Sequence, residues 1–375
     1  MPVILFRTFP QQLRGILPAA TPRKDKAADT LRSMSSPPQR ATHSPGQARK
    51  LRVGVVGVGY LGRFHARIYS DMPDVELVGV ADIDPQAAHT VADAHNCAAY
   101  TAAEELVDKV DAVSIVVPTV SHLSVARPFL ERGIHTLLEK PIAPTYEEAR
   151  EIVEVAERDG AILQVGHLER FNAGVMALAE HVQDARFIEV HRLGPFVDRA
   201  TDVDVVTDLM IHDIDIAMSL VRTTITDIAA VGIPVLTAHV DIANARLEFA
   251  NGAVANVTAS RVSNKKFRRI RVFGQHSYYG LNYIDQQLEI VQAKPGTGAG
   301  GRGEIVTEQL VIQPRPPLDV ELEHFVRAVR EQRAPLVDGR VGLEAVRVAE
   351  LVREKIAASQ ARGQTVRSEE PKNPP

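Results

Sequence analysis

Thiol chemistry is nearly absent from this sequence. A lone cysteine, Cys97, cannot close a disulfide or furnish a cysteine metal site, which excludes a disulfide framework and fits a reducing, cytoplasmic setting. Cys97 reads as a small buried apolar residue rather than a nucleophile. A strong charge of one sign is also missing. The formal net charge is −4, so no field for nucleic acid or anionic lipid is indicated and neither is expected as a partner. No stretch reaches the roughly 20 apolar residues that span a bilayer. The first fifty residues have little acid, only Asp25 and Asp29, and are rich in Pro, Ser, Ala, Gln and Arg. Such a segment cannot bury enough apolar surface to offset its ordering entropy, so residues 1–50 are expected to form a disordered extension. Two other readings are an organelle transit peptide, which the basic composition resembles, and a true start at Met34.

What is present is an ordinary globular chain. Hydrophobic residues make up 45% and charged residues 24% of 375, enough for two real cores. Order begins at Leu51. The Val-rich run 51–57 reads as a buried strand, followed by a glycine turn and a helix over 63–70. Strands at 75–81, 111–117, 134–138 and 161–165 alternate with helices after Asp84-Pro85 and over 121–132 and 145–158. That alternation implies a doubly wound parallel sheet. After residue 167 strands follow one another: 186–193, 226–234, 239–249, 253–262, 267–274, 277–284, 286–292 and 304–313. Asn251-Gly252 is a two-residue hairpin signal. One helix is inserted near 207–222 and two close the chain, near 318–332 and 339–359. The expected fold is α/β. A parallel sheet domain (51–167) precedes an α+β domain (168–360) with a large, mostly antiparallel open sheet. A mobile glycine-rich loop is expected at 295–303 and a flexible tail at 361–375.

The turn Gly57-Val58-Gly59-Tyr60-Leu61-Gly62 lies between a buried strand and a helix. In that setting Gly57 permits the tight turn, Gly59 lets backbone approach a pyrophosphate, and Gly62 lets helix and strand pack closely. The helix N-terminus offers free N–H groups to the phosphates. Asp82 ends the second strand, 25 residues after Gly57. A carboxylate there accepts hydrogen bonds from ribose hydroxyls and repels a 2′-phosphate, which favours NAD over NADP. Asp84, followed by Pro85, is better placed as the helix cap.

Two further features carry chemistry. Glu139-Lys140-Pro141 follows an apolar strand, and charges at the C-terminal end of a parallel strand face the ligand crevice. Pro141 keeps Lys140 out of helical geometry. The second feature is the helix 207–222. At 100° per residue Asp208, His212, Asp215 and Ser219 share one stripe of an otherwise apolar surface, Asp213 excepted. A buried stripe of acids and an imidazole is costly unless paired or functional. His212 suits a general base, Lys140 suits stabilisation of an alkoxide, and an aspartate beside the imidazole can set its tautomer. The competing reading, a metal held by Asp208 and His212, has one histidine and no other obvious ligand, so no metal is expected.

These motifs together resemble the glucose–fructose oxidoreductase / inositol dehydrogenase (Gfo/Idh/MocA) family over residues 51–358. The resemblance implies an N-terminal Rossmann domain and a C-terminal domain whose open sheet makes a homodimer or homotetramer contact. It matches Lys140, Asp208 and His212 to the family's catalytic residues. It lays Val117-Pro118-Thr119 and His122 along the cofactor and puts Glu139 near the nicotinamide ribose. The stretches Val165-Gly166-His167-Leu168-Glu169-Arg170-Phe171-Asn172 and 204–213 look most like a nucleotide-sugar branch that includes UDP-N-acetylglucosamine 3-dehydrogenases. The implied substrate is a sugar or nucleotide sugar. Inositol dehydrogenases, glycosidases using transient oxidation and non-catalytic NAD(H)-sensing regulators are the alternatives. A nucleotide sugar carries a pyrophosphate that needs cationic partners. Arg170 beside Asn172 is the favoured pair. Arg192, Arg199 and the cluster Lys265, Lys266, Arg268, Arg269 and Arg271 are further candidates.

Overall fold

The structure, a computed structural model, describes residues 49–197, 203–294 and 304–369. The expectations for residues 1–48, Arg199, the loop proper at 295–303 and the last six residues lie outside them. Strands β1 (Leu51–Val56), β2 (Val75–Ala81), β3 (Ala98–Tyr100), β4 (Ala112–Ile115), β5 (His135–Glu139) and β6 (Leu163–Gly166) form one parallel sheet in the order β3-β2-β1-β4-β5-β6. The short edge strand β3 has no counterpart in the sequence reading, because three residues carry too little periodicity to register. Helices α1 (Gly62–Asp71), α2 (Pro85–His95), α3 (His122–Leu130) and α4 (Tyr146–Arg158) alternate with the strands. The order reverses between β1 and β4, and a crevice at the carboxyl ends of the strands follows from that reversal.

Side chains alternate across a strand. Val53 and Val55 of β1 therefore enter a core with Ala66, Ile68 and Tyr69 of α1. Val56 enters the other core, with Phe129 and Leu130 of α3. Asp84 caps α2 as expected, its carboxylate accepting the Gln86 N–H at 2.9 Å with Pro85 at the first helical position.

The second sheet follows α5 (Ala173–His181). Its strands are β7 (Phe187–Leu193), β8 (Ile225–Ile233), β9 (Ile242–Phe249), β10 (Val254–Ser260), β11 (Phe267–Phe273), β12 (Ser277–Asn282), β13 (Gln287–Lys294) and β14 (Glu304–Val311). Their order is β14-β13-β12-β11-β7-β10-β9-β8. Among the described residues β7 and β10 are the parallel pair and the other pairings are antiparallel. All eight expected strands are present. Helix α6 (Ile211–Val221) precedes β8 and packs on one face of the sheet, against β7 and β10.

Two local expectations change. Asn251-Gly252 does not make a two-residue turn. The Phe249 N–H bonds the Ala253 carbonyl, and Gly252 alone of the loop has positive φ, +80°. A two-residue type I′ turn needs positive φ at both central positions. The last helix, α8 (Gly339–Glu369), continues past residue 359. No proline stops it, and Gly363 costs a helix interior only about 1 kcal/mol. Helix α7 (Pro317–Glu331) returns to the first sheet, where Leu322, Phe325, Val326 and Val329 complete the core of Val53 and Val55. No helix among the described residues is long and apolar enough to cross a membrane.

Candidate active site

The glycine turn is sterically compelled. Gly57 has φ +83°, and a Cβ there would fall 2.4 Å from the Val116 carbonyl oxygen. A Cβ on Gly62 would fall 1.8 Å from the Gly57 oxygen. Gly59 has nothing within 4 Å of its added Cβ, so this side of the loop is open to a ligand. Helix α1 begins after Leu61 with no side-chain cap and no acid in its first turn. Its first N–H groups and positive dipole end therefore suit a phosphate. Tyr60 is exposed beside the turn and carries the Arg63 guanidinium 5.1 Å from its ring centre.

Asp82 does more than the spacing suggested. One carboxylate oxygen accepts the Val58 N–H at 2.8 Å and the other the Asp84 N–H at 3.0 Å. The carboxylate expected at the ribose is thus the brace of the glycine loop. Each oxygen keeps a lone pair for a hydroxyl. These features fit an NAD dinucleotide: a turn that only glycine can make, an uncapped helix end and a fixed carboxylate.

Pro118 and Thr119 begin a 3-10 turn after β4, Thr119–Ser121, whose Val120 is exposed. His122, expected along the cofactor, is a buried ring. It is 1% exposed, with Nε2 at 3.1 Å from the Val117 carbonyl and Nδ1 at 3.2 Å from the Ile142 carbonyl. Burial lowers the His122 imidazole below the usual histidine range, and the neutral ring has one N–H to donate to one of these two carbonyls at a time.

The end of β5 carries the charged residues expected to react. Glu139 lies 3.4 Å from buried His65 Nε2 and accepts the Lys140 N–H at 3.3 Å. Lys140 Nζ donates to the backbone carbonyl of Asp208 at 2.8 Å and lies 3.6 Å from its carboxylate. Asp208 belongs to a π-helical turn, Val206–Met210, that leads into α6. Such turns disturb the regular carbonyl ladder and recur at functional sites. Here the turn delivers both a carbonyl and a carboxylate to the lysine.

The π turn also breaks the simple 100° stripe. Asp208 faces Lys140, and Ser219 bonds back to the Ile216 carbonyl at 2.7 Å. Asp215 is not the orienting partner of His212. Its carboxylate receives Arg170 at 3.1 Å and lies 3.8 Å from His167 Nδ1. His212 stands edge-on to the His167 ring, 6.1 Å between centres, and its Nδ1 is buried without a hydrogen-bond partner. Burial holds the His212 imidazole well below the usual histidine range, and the Lys140 and Arg192 cations push it further the same way. The ring is therefore neutral near pH 7, the form that accepts a proton. Burial likewise lowers Lys140, against the pull of Asp208 and Glu139.

The arginines expected at a pyrophosphate are partly committed within the protein. Arg170 is held by Asp215. Asn172 caps α5, its side-chain oxygen accepting the Gly174 N–H at 3.0 Å and the Gln286 amide at 3.2 Å. Arg192 is 4% exposed and grips Asp213 through two bonds, at 2.7 and 2.8 Å, and Glu169 at 2.7 Å. Burial works against its charge, and Asp213 and Glu169 more than offset it. The partnership of Asp213 and Arg192, buried behind the reacting groups, is absent from the sequence reading. Its available signal was Asp213 itself, an acid on an apolar helix face.

Comparison with known proteins identifies this arrangement. Residues 51–167 match the model of the oxidoreductase family with NAD-binding Rossmann fold, and residues 175–279 match the GFO/IDH/MocA C-terminal domain. The chain belongs to the Gfo/Idh/MocA oxidoreductase family. It is 37% identical over 309 residues to the UDP-N-acetylglucosamine 3-dehydrogenase of Acidithiobacillus ferrooxidans, covering 82% of this chain and 98% of that one. The structure of that enzyme matches with a TM-score of 0.77 at 35% identity, over 83% of this chain and 99% of the other. An inositol 2-dehydrogenase of Rhizobium meliloti is 29% identical, over 82% of this chain and 97% of its own. The protein is therefore an NAD-dependent oxidoreductase acting on CH–OH groups.

Proposed function

We propose that the enzyme oxidises a secondary hydroxyl of a UDP-linked amino sugar at C3, yielding a 3-keto sugar. The observation that carries the chemistry is the meeting of the Lys140 ammonium, at the carboxyl end of β5, with Asp208, four residues before the buried neutral imidazole of His212. The turn 57–62, Asp82 and Glu139 would hold NAD, which would supply the hydride acceptor. His212 accepts the hydroxyl proton, and its neutral form makes it competent to do so. Lys140 stabilises the oxygen as negative charge develops on it. Asp208 holds Lys140 in place through its carbonyl and carboxylate. The near full-length likeness to a UDP-N-acetylglucosamine 3-dehydrogenase supports the substrate class. The likeness to an inositol 2-dehydrogenase supports a second reading, an uncharged polyol.

The same reading includes a cytoplasmic homodimer or homotetramer joined by the second sheet. Exposed apolar residues on the two edge strands, Val231 and Ile233 of β8 and Ile305 and Val311 of β14, support the contact. A monomer in sedimentation equilibrium would remove that part. The substrate is tested by NADH formation from UDP-N-acetylglucosamine and from myo-inositol at equal concentration. The expected result is a kcat/KM at least about a hundredfold higher for the nucleotide sugar, the discrimination that lost contacts to a charged group produce. The reverse preference would overturn it.

A further inference from the structure

Three neighbouring strands place a row of polar residues on the sheet face that bears α6. Arg268 of β11 lies opposite Arg192 of β7, and the Tyr283 N–H, just beyond β12, bonds the Arg268 carbonyl at 3.1 Å. Two arginines opposite each other repel, so the row needs acids. Asp213 and Glu169 saturate Arg192. Arg268 receives only a second share of Glu169, at 3.4 Å, and its side chain is 41% exposed. The rest of the basic cluster divides by strand alternation. Arg269 and Arg271 point to the opposite face, where they meet Tyr278 and Glu189. Lys265 and Lys266 are exposed in the turn leading to Arg268. Tyr283 closes the row. Its ring lies 5.8 Å from the Arg192 guanidinium, and its hydroxyl is buried without a hydrogen-bond partner.

We infer that Arg268, with the Tyr283 hydroxyl beside it, is the anion-binding residue that takes the diphosphate of the substrate. This inference rests on the nucleotide-sugar reading and assigns to Arg268 the role expected of Arg170. In the described residues Arg170 and Arg192 are themselves largely buried against buried carboxylates, whereas Arg268 is open to solvent and held by one long contact. A phosphate oxygen would replace the long contact to Glu169, which keeps its stronger bond to Arg192. A guanidinium fork matches phosphate geometry. The row also neighbours the reacting groups, since Glu169 and Arg192 link it to Asp213, the residue after His212.

The test is calorimetric binding of UDP to the NADH-saturated enzyme. Arg268→Gln is expected to weaken UDP about tenfold to a hundredfold, the range for a lost charge-assisted hydrogen bond. Its NADH affinity stays at the wild-type value, and Arg268→Lys recovers part of the loss. Wild-type UDP affinity in Arg268→Gln, or an equal loss of NADH affinity, overturns the assignment. If the wild-type enzyme oxidises an uncharged polyol and binds no UDP, the nucleotide-sugar reading itself fails and the assignment falls with it.

Discussion

At the scale of single residues, the account depends on protonation. His212 must be neutral to accept a proton, and Lys140 must be charged to hold a developing oxyanion. Burial lowers both groups in the structure, with neighbouring cations adding to the effect on His212. Activity is therefore retained on acidification until pH falls through the lowered His212 value. It is lost on the alkaline side as pH rises through the lowered Lys140 value. The expected kcat/KM profile has an acid limb below the ordinary histidine range and an alkaline limb below the ordinary lysine range. Rates of substrate oxidation in a constant-ionic-strength buffer series check this. An acid limb at or above the free-histidine value would remove His212 as the base. Asp82 shows how one residue can serve two ends: the carboxylate suited to a ribose also fixes the Val58 and Asp84 amides.

At the scale of elements, α6 is held in register by Arg192 reaching across from β7 to Asp213. Both partners are buried, so removing one charge strands the other. Arg192→Met is expected to cost about 3–5 kcal/mol of folding stability. The double variant Arg192→Met/Asp213→Leu recovers most of it, read from urea unfolding midpoints. A cost below about 1 kcal/mol for the single change would mean that the pair does not anchor the helix. Much of this scale was legible in the sequence. Strand alternation, the Asp84-Pro85 helix start and the glycine turn are local signals, and they located the strands and the cofactor end. The helix stripe was only half legible. Counting 100° per residue put His212 and Asp215 on one face, but the π turn at 206–210 changed what Asp208 meets, and Arg170 captured Asp215. Partners remote in sequence, such as Arg170, Glu169 and Arg192, leave no periodic trace. The burial of His122 between the Val117 and Ile142 carbonyls likewise leaves no trace in the spacing.

At the scale of the whole molecule, the chain crosses between its two sheets more than once. α7 returns to the core of β1, and α8 packs against α4 as well as β8 and α6. A division at residue 167 follows the first family match but not the path of the last two helices. Lys140 comes from the first sheet and Asp208 and His212 from the helix on the second. The proposed reacting pair therefore exists only when the two sheets are folded against each other. By the proposed function this shared crevice oxidises C3 of the sugar. The most direct measurement is the mass of NADH formed from UDP-N-acetylglucosamine deuterated at C3. The account predicts that the NADH carries the deuterium. Unlabelled NADH, or none at all, would contradict it.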